Sequence, residues 1–263
     1  MRSTNSTLPL RLRVFAGPNG SGKSTVINYI RSYKTDNGLI DFGYYINADD
    51  IGALLRKSPF DFGVFDITAT NKEFVEIAIA SGLINEDFTK STFAKAYTLM
   101  NNKITLKDIS VNDRLAQIIA DYLRKKLLKE NKRFSFETVF SHKSKLDIMR
   151  EAKDKGYKVY LYFVSTESPE INKARVASRK AQGGHDVPED LIEKRYYRSL
   201  NLLYDACQIA YQAFFFDNST EGESSQMFAH FKIIKEKKKW DKIDKKSVPE
   251  WFRKYYSAKV KKS

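Results

Sequence analysis

Five short runs along the chain mass or alternate their apolar positions in the manner of strands. They are Leu10–Gly17 (LRLRVFAG), Tyr44–Asp49 (YYINAD), Arg133–Thr138 (RFSFET), Tyr157–Val164 (YKVYLYFV) and Ala213–Ser219 (AFFFDNS). Helical spacing takes over between them. STVINYIRSY keeps Val26, Ile27 and Ile30 on one side, and Asn112–Glu130 places Leu115, Ile118, Ile119, Tyr122 and Leu123 on one face behind an Asn cap. SKLDIMREAKDKG stops at Gly156, and Ser168 with Pro169 opens a further helix as N-cap and first residue. Strands alternating with helices predict an α/β fold with a mainly parallel five-stranded sheet flanked by helices. In such sheets ligands sit beyond the C-terminal strand ends. Residues from about 55 to 111 break the alternation and read as a polar, partly helical insertion. The expected organisation is a core domain over residues 1–225 and a basic extension over 226–263.

Charge changes this picture at one end of the chain. The formal net charge is +14, and residues 232–263 hold 13 Lys/Arg against 4 Asp/Glu, so nine of those fourteen charges lie in the tail. The rest is mildly basic, which argues against a broad nucleic-acid grip over the body. The tail's bland reading is a solvated helix pair that docks Trp240, Trp251 and Phe252 on the core. A single cysteine, Cys207, excludes an internal disulfide and points to a reducing compartment. With no membrane-length apolar run and no leader-like N-terminus, the expected location is the cytoplasm.

The chemistry begins with GPNGSGKST, residues Gly17, Pro18, Asn19, Gly20, Ser21, Gly22, Lys23, Ser24 and Thr25. It fits G-x-x-x-x-G-K-[ST] between a strand and a helix, the context that motif needs. Glycines let the backbone curl so that N–H groups turn toward phosphate oxygens, and the helix start adds partial positive charge. Lys23 is then the residue for the β- and γ-phosphates and Ser24 the hydroxyl for Mg²⁺, with ATP or GTP as donor. No N-K-x-D reads guanine, and the clearest strand, YKVYLYFV, ends in no Walker B acid, which removes the switch-GTPase and ABC-ATPase readings. A small-molecule kinase needs only a phosphate loop, an acceptor carboxylate and an arginine-bearing lid.

Asp49 and Asp50 end the second strand, where a carboxylate either takes a proton from an attacking hydroxyl or caps the following helix. Glu137 ends the third strand after Phe134 and Phe136; there it either tips into solvent or accepts hydroxyl hydrogen bonds from a sugar-like acceptor. RVASRKAQGGHDVPEDLIEKRYYRS spaces Arg175 and Arg179 four apart, and Arg195 and Arg198 three apart on the next helix, which Pro188 starts. Gly183–Gly184 supplies a joint and His185 a loop-fixing side chain. Arginine suits a lid over about residues 175–199 because its fork grips two phosphate oxygens in a dehydrated site.

GPNGSGKST, INADDI, FSFETVFS and RVASRKAQGGHDVPEDLIEKRYYRSL follow one another in an order similar to the zeta-toxin family of P-loop kinases, closest to its solitary chromosomal branch. The resemblance covers about residues 10–55 and 112–220. It implies an adenylate-kinase-like core and phosphorylation of UDP-N-acetylglucosamine on the 3′-hydroxyl. It further implies Asp49 as the base, Glu137 with Thr138 as substrate contacts, and Arg179 and Arg195 as the lid pair (Arg175 and Arg198 as alternatives). The insertion and the basic tail have no counterpart in that pattern. Two other readings remain: a nucleic-acid-end or RNA-directed kinase using the tail, and a nucleotide-dependent binding protein with an antitoxin-like partner.

Overall fold

The computed structural model describes residues 9–36, 38–183, 187–222 and 225–261. Strand β1 (Arg11–Ala16) leads into α1 (Lys23–Ser32) and a two-residue ribbon, β2 (Lys34–Thr35) with β3 (Gly38–Leu39). Then come β4 (Tyr44–Ile46), α2 (Ala48–Leu55), β5 (Phe60–Asp61), α3 (Asn71–Ala80), α4 (Lys90–Ala96), β6 (Tyr97–Met100), β7 (Lys103–Leu106) and α5 (Asn112–Lys129). The chain continues through β8 (Phe134–Thr138), α6 (Ser144–Asp154), β9 (Lys158–Ser165), α7 (Pro169–Ala181), α8 (Glu189–Asn201), α9 (Leu203–Ile209) and β10 (Gln212–Asp217). It closes with β11 (Gln226–Ile234), β12 (Lys237–Trp240) and helical turns at Glu250–Phe252, Arg253–Ser257 and Ala258–Val260.

The main sheet has seven strands, not five, in the order β12-β11-β10-β9-β1-β8-β4. β1 and β9, β9 and β10, and β4 and β8 pair in parallel, whereas β10–β11 and β11–β12 are antiparallel. The two extra strands come from the basic extension, where a helix pair was expected. The hairpin turn is made by Lys235 and Glu236, both at positive φ. Neither is the Gly or Asn that normally announces such a turn, so the sequence carries no signal there. Lysines along β12 add to the disguise, since charged residues on an edge strand are an ordinary guard against edge pairing.

Contacts divide the chain into two compact units, Met1–Phe42 with Glu137–Ser263, and Gly43–Phe136. In the first, rings of Phe42, Phe15, Tyr162, Phe214 and His230 stack in succession at 5.2, 4.7, 4.8 and 4.5 Å. Offset stacking of this kind stiffens the sheet that carries the strand ends. On this unit's extension, Phe252 and Trp240 pack against Phe215 at 4.9 and 5.9 Å, and Trp251 lies 5.9 Å from Phe163. The three aromatic side chains therefore dock on the core as expected, although from a hairpin and helical turns.

The second unit holds the segment read as a polar insertion, and it has an aromatic core. A three-stranded antiparallel sheet, β5-β7-β6, accompanies α2 to α5. Phe62, Phe74 and Tyr122 are fully buried, and Phe62 and Phe74 each meet Tyr122 edge to face at 5.3 Å. On α5 the apolar positions expected from spacing, Leu115 to Leu123, are buried, while Asn112 is its first residue and not its cap. Glu73 of α3 accepts hydrogen bonds from Lys126 at 2.7 Å, Lys129 at 3.0 Å and the Tyr122 hydroxyl at 3.2 Å. Burial alone would raise its pKa, but the hydrogen bonds and charges of Lys126 and Lys129 outweigh that and hold it below the ordinary value. Among the described residues no helix is long and apolar enough to cross a membrane.

Candidate functional site

β1 delivers the chain to Gly17 at the point where β9 also ends. A Cβ on Gly17 would stand 2.0 Å from the Val164 carbonyl oxygen, so only glycine allows the two strand ends to approach this closely. The loop then tightens through a hydrogen bond from Ser21 N to the Pro18 carbonyl (3.3 Å). Gly22, left-handed at φ 90°, caps α1, and its carbonyl accepts from the amides of Thr25 and Val26. A Cβ there would stand 2.1 Å from Nδ2 of Asn218.

α1 begins with no side-chain cap and no acidic residue in its first turn. Its leading N–H groups thus lack the intrahelical acceptors that later residues have, and the helix dipole leaves them electropositive. Three of the loop's carbonyls are by contrast bonded to side chains. The carbonyl of Pro18 takes Lys23 Nζ at 2.9 Å, that of Asn19 takes Nδ2 of Asn172, and that of Ser21 takes Nδ2 of Asn218 at 2.9 Å. A peptide's C=O and N–H point in opposite directions, so fixing the Asn19 and Ser21 carbonyls toward Asn172 and Asn218 turns the amides that follow them the other way, the polarity an anion requires. Two buried polar atoms within the loop, Oδ1 of Asn19 and Oγ of Ser21, have no hydrogen-bond partner. Buried groups of this kind are rare unless a ligand or ion completes them.

Lys23 is 7% exposed and its Nζ lies 3.8 Å from Oε1 of Glu137, itself 15% exposed. The strand-end glutamate is therefore not tipped into solvent; it faces the loop lysine. Thr138, next to it, has its hydroxyl engaged as acceptor for Phe140 N at 3.1 Å. Ser24 and Thr25 are exposed on the first turn of α1, which leaves the Ser24 hydroxyl accessible to a cation beside the loop. The uncapped amides, the two orphan oxygens and this hydroxyl together suit a nucleotide with its divalent ion.

Asp49 and Asp50 lie in the other unit, exposed on the first turn of α2. Neither caps that helix: Oδ1 of Asn47 does, accepting from Asp49 N at 2.9 Å. Asparagine in strand-like geometry fits this position as well as aspartate, which frees both carboxylates from a capping duty.

The segment read as a lid forms two helices, α7 and α8, with Ser168 as N-cap and Pro169 as the first helical residue. Val176, Val187 and Ile192 make a small core between them, and Lys173 pairs with Glu193. Arg175 and Arg179 sit one turn apart on α7, with Arg179 exposed; Arg195 is half-buried and Arg198 exposed on α8. Arg175 donates to the carbonyls of Asn218 at 2.8 Å and Thr220 at 3.4 Å, so it holds the segment after β10. Gly184 and His185 lie outside the described residues.

Sequence reasoning missed Asn172 and Asn218. Asn172 did leave a trace: it sits three after Pro169 and four before Val176, a polar residue on an otherwise buried stripe, and it is fully buried. Asn218, one residue past a strand, left none.

No family model matches the chain. An uncharacterized protein of Haemophilus influenzae is 35% identical over 91 residues, which span 32% of this chain and 64% of that protein. Among solved structures, an AvrRxo1-ORF1:-ORF2 complex with ATP aligns with a TM-score of 0.50 at 12% identity, covering 95% of this chain and 64% of that one. The PezAT chromosomal toxin–antitoxin system of Streptococcus pneumoniae aligns with a TM-score of 0.46 at 15% identity, covering 84% of this chain and 71% of that one. What the chain shares with the ATP complex is the fold. It spans less than two thirds of the length of the Haemophilus protein and of the AvrRxo1 chain.

Proposed function

We propose that this chain is a cytoplasmic P-loop phosphotransferase of the zeta-toxin kind, moving the γ-phosphoryl group of ATP or GTP to a hydroxyl of a small acceptor. The observation that carries the reading is the loop itself, with the Asn19 and Ser21 carbonyls held by distant asparagines, a helix start without a side-chain cap, and Lys23 held beside Glu137. Phosphoryl transfer requires little covalent participation from a protein; positioning and charge neutralisation supply most of the catalysis. Lys23 and the loop amides would bind the phosphates, and Ser24 would hold Mg²⁺, which when bound neutralises charge on the β- and γ-phosphates.

The remaining roles rest on the motif resemblance. Asp49 accepts the proton of the attacking hydroxyl, a role for which an uncommitted carboxylate is suited. Glu137, with Thr138 beside it, orients the acceptor, and Arg179 and Arg195 bring charge from the lid helices, with Arg198 in reserve. UDP-N-acetylglucosamine, phosphorylated at the 3′-hydroxyl, is the acceptor proposed on the same ground, and an antitoxin-like protein the proposed partner. An RNA-directed reading is less well supported, because Trp251 and Phe252 of the basic extension are buried and leave those rings unavailable for base stacking.

Incubation with Mg-ATP or Mg-GTP and UDP-N-acetylglucosamine, with product read by mass, tests this. A sugar nucleotide heavier by one phosphate, lost in Asp49→Ala, is the expected result. Nucleotide binding without that product would overturn the acceptor; no nucleotide binding at all would overturn the phosphotransferase.

A further inference from the structure

The outward carbonyls of the phosphate loop raise the question of what keeps them outward. A glycine-rich loop has low barriers to peptide rotation, and one flipped peptide would offer phosphate a carbonyl oxygen in place of an N–H. Pro18 is secured by Lys23 from within the loop. Asn19 and Ser21 are secured from outside it, by two asparagines distant in sequence, Asn172 and Asn218.

Both asparagines are themselves fixed. Asn172 is fully buried, and its Oδ1 accepts from the Thr166 hydroxyl. The carbonyl of Thr166 takes the Tyr196 hydroxyl at 2.7 Å, which ties α8 to the same point. Asn218 uses every polar group it has except Oδ1: its N donates to the Ser165 carbonyl at 2.9 Å, its carbonyl accepts from Arg175 at 2.8 Å, and Nδ2 reaches Ser21. The residues on either side of Asn218 lead to the C-terminal extension. Asp217 accepts from the indole Nε1 of Trp251 at 2.8 Å and from the Ser219 hydroxyl at 2.9 Å. Ser219 Oγ in turn accepts from Glu167 N at 2.9 Å, and the Glu167 carboxylate accepts from the amides of Glu250 and Trp251 at 2.8 and 3.2 Å. The ends of β9 and β10 and the start of the terminal helical turns thus form one hydrogen-bonded circuit around Asn218.

We propose that Asn172 and Asn218 are positioning residues that hold the phosphate loop in its anion-binding polarity, and that the C-terminal extension sets Asn218 through Trp251 and Asp217. The inference rests on the phosphotransferase reading. It gives the extension a task that its charge does not suggest, since it acts on the nucleotide site through a buried indole. It also explains why Arg175 is committed to backbone carbonyls: it braces Asn218 through its carbonyl.

The test is the Mg-ATP dissociation constant of Asn172→Asp, Asn218→Asp and Trp251→Phe, each with the melting temperature of the nucleotide-free protein. Aspartate keeps the shape but replaces the donor with a charged oxygen facing a carbonyl; phenylalanine keeps an aromatic ring but removes the Nε1 donor together with the five-membered ring of the indole, a packing loss that the melting temperature reads separately. Each aspartate variant is expected to weaken Mg-ATP binding about tenfold, the ratio for one lost hydrogen bond of about 1.4 kcal/mol. Trp251→Phe is expected to weaken it about threefold, since it acts one step removed. A merely structural role would lower the melting temperature and leave the dissociation constant of the folded protein unchanged, and that result overturns the inference. Should an aspartate variant not fold, Trp251→Phe decides: wild-type affinity overturns the extension's part in it. Failure of the wild type to bind Mg-ATP would overturn the phosphotransferase reading and this inference with it, and appears before any variant is made.

Discussion

Alanine at position 17 would bring a methyl carbon to 2.0 Å from the Val164 carbonyl oxygen and 3.0 Å from the Ser21 hydroxyl. A carbon and a carbonyl oxygen approach comfortably only to about 3.3 Å, so the ends of β1 and β9 would have to separate by about 1 Å. These strands pair in parallel up to Ala16 opposite Phe163, immediately before the clash, and both are buried. The obstacle is backbone, so no side-chain rotation relieves it. Gly17 also sits at φ 148°, where a side chain is strained by about 1–3 kcal/mol. Overpacking of a buried contact adds about 1–3 kcal/mol, which places Gly17→Ala near 4 kcal/mol in all, at the upper end of single substitutions. At about 2–4 °C per kcal/mol for a chain of this size, the melting temperature should fall by about 8–16 °C. Gly156→Ala is the control, because Gly156 has φ 81° but nothing within 4 Å of a Cβ. It carries the conformational strain alone, about 1–2 kcal/mol. Thermal melts of both variants by circular dichroism, without nucleotide, separate the two contributions. If Gly17→Ala melts no lower than Gly156→Ala, the close approach of Gly17 to Val164 is absent and the loop built on it is wrong.

Lys23→Ala should lower phosphoryl transfer at least about 100-fold, read as kcat/KM, because it removes the one cation the loop brings to the phosphates; activity within a few-fold of wild type would refute its role. Lys126 and Lys129 hold the Glu73 pKa below the ordinary glutamate value, so its contribution to stability is complete above that ordinary value and is lost as pH falls through the lowered one. Urea midpoints of wild type and Glu73→Gln should therefore differ at neutral pH and converge in acid, and parallel curves would refute the pairing with Lys126 and Lys129. Cys207 is buried and its burial pushes the thiol well above the ordinary range, so a thiol reagent should label it only in denaturant; rapid labelling of the native protein would contradict that environment. Phe252→Ala should destabilise by about 3–5 kcal/mol, visible as a lower melting temperature, whereas an unchanged melt would mean that the extension does not contribute to the core.

What could be read along the chain is what depends on neighbours in sequence. Five strands follow from short apolar runs, α7 from Ser168 and Pro169, and α5 from its spacing, because period and capping are local properties. The glycine-rich loop between β1 and α1 is legible for the same reason: its glycines, lysine and hydroxyl all fall within nine residues. The hairpin of β11 and β12 was not, since its alternation is masked by lysines and its turn adopts positive φ without glycine or asparagine. Nor was the choice of Asn47 over Asp49 as cap, because both residue types suit the position and only the backbone decides which oxygen reaches the amide. Asn172 and Asn218 stand 153 and 197 residues from the loop carbonyls they hold. A hydrogen bond across that separation leaves no periodicity to read; it exists only once parallel pairing of β1, β9 and β10 brings the three strand ends together. The sequence alone therefore determined the glycine-rich loop between β1 and α1, and only the tertiary structure decided which distant side chains bond its carbonyls, because those bonds need three strand ends brought together.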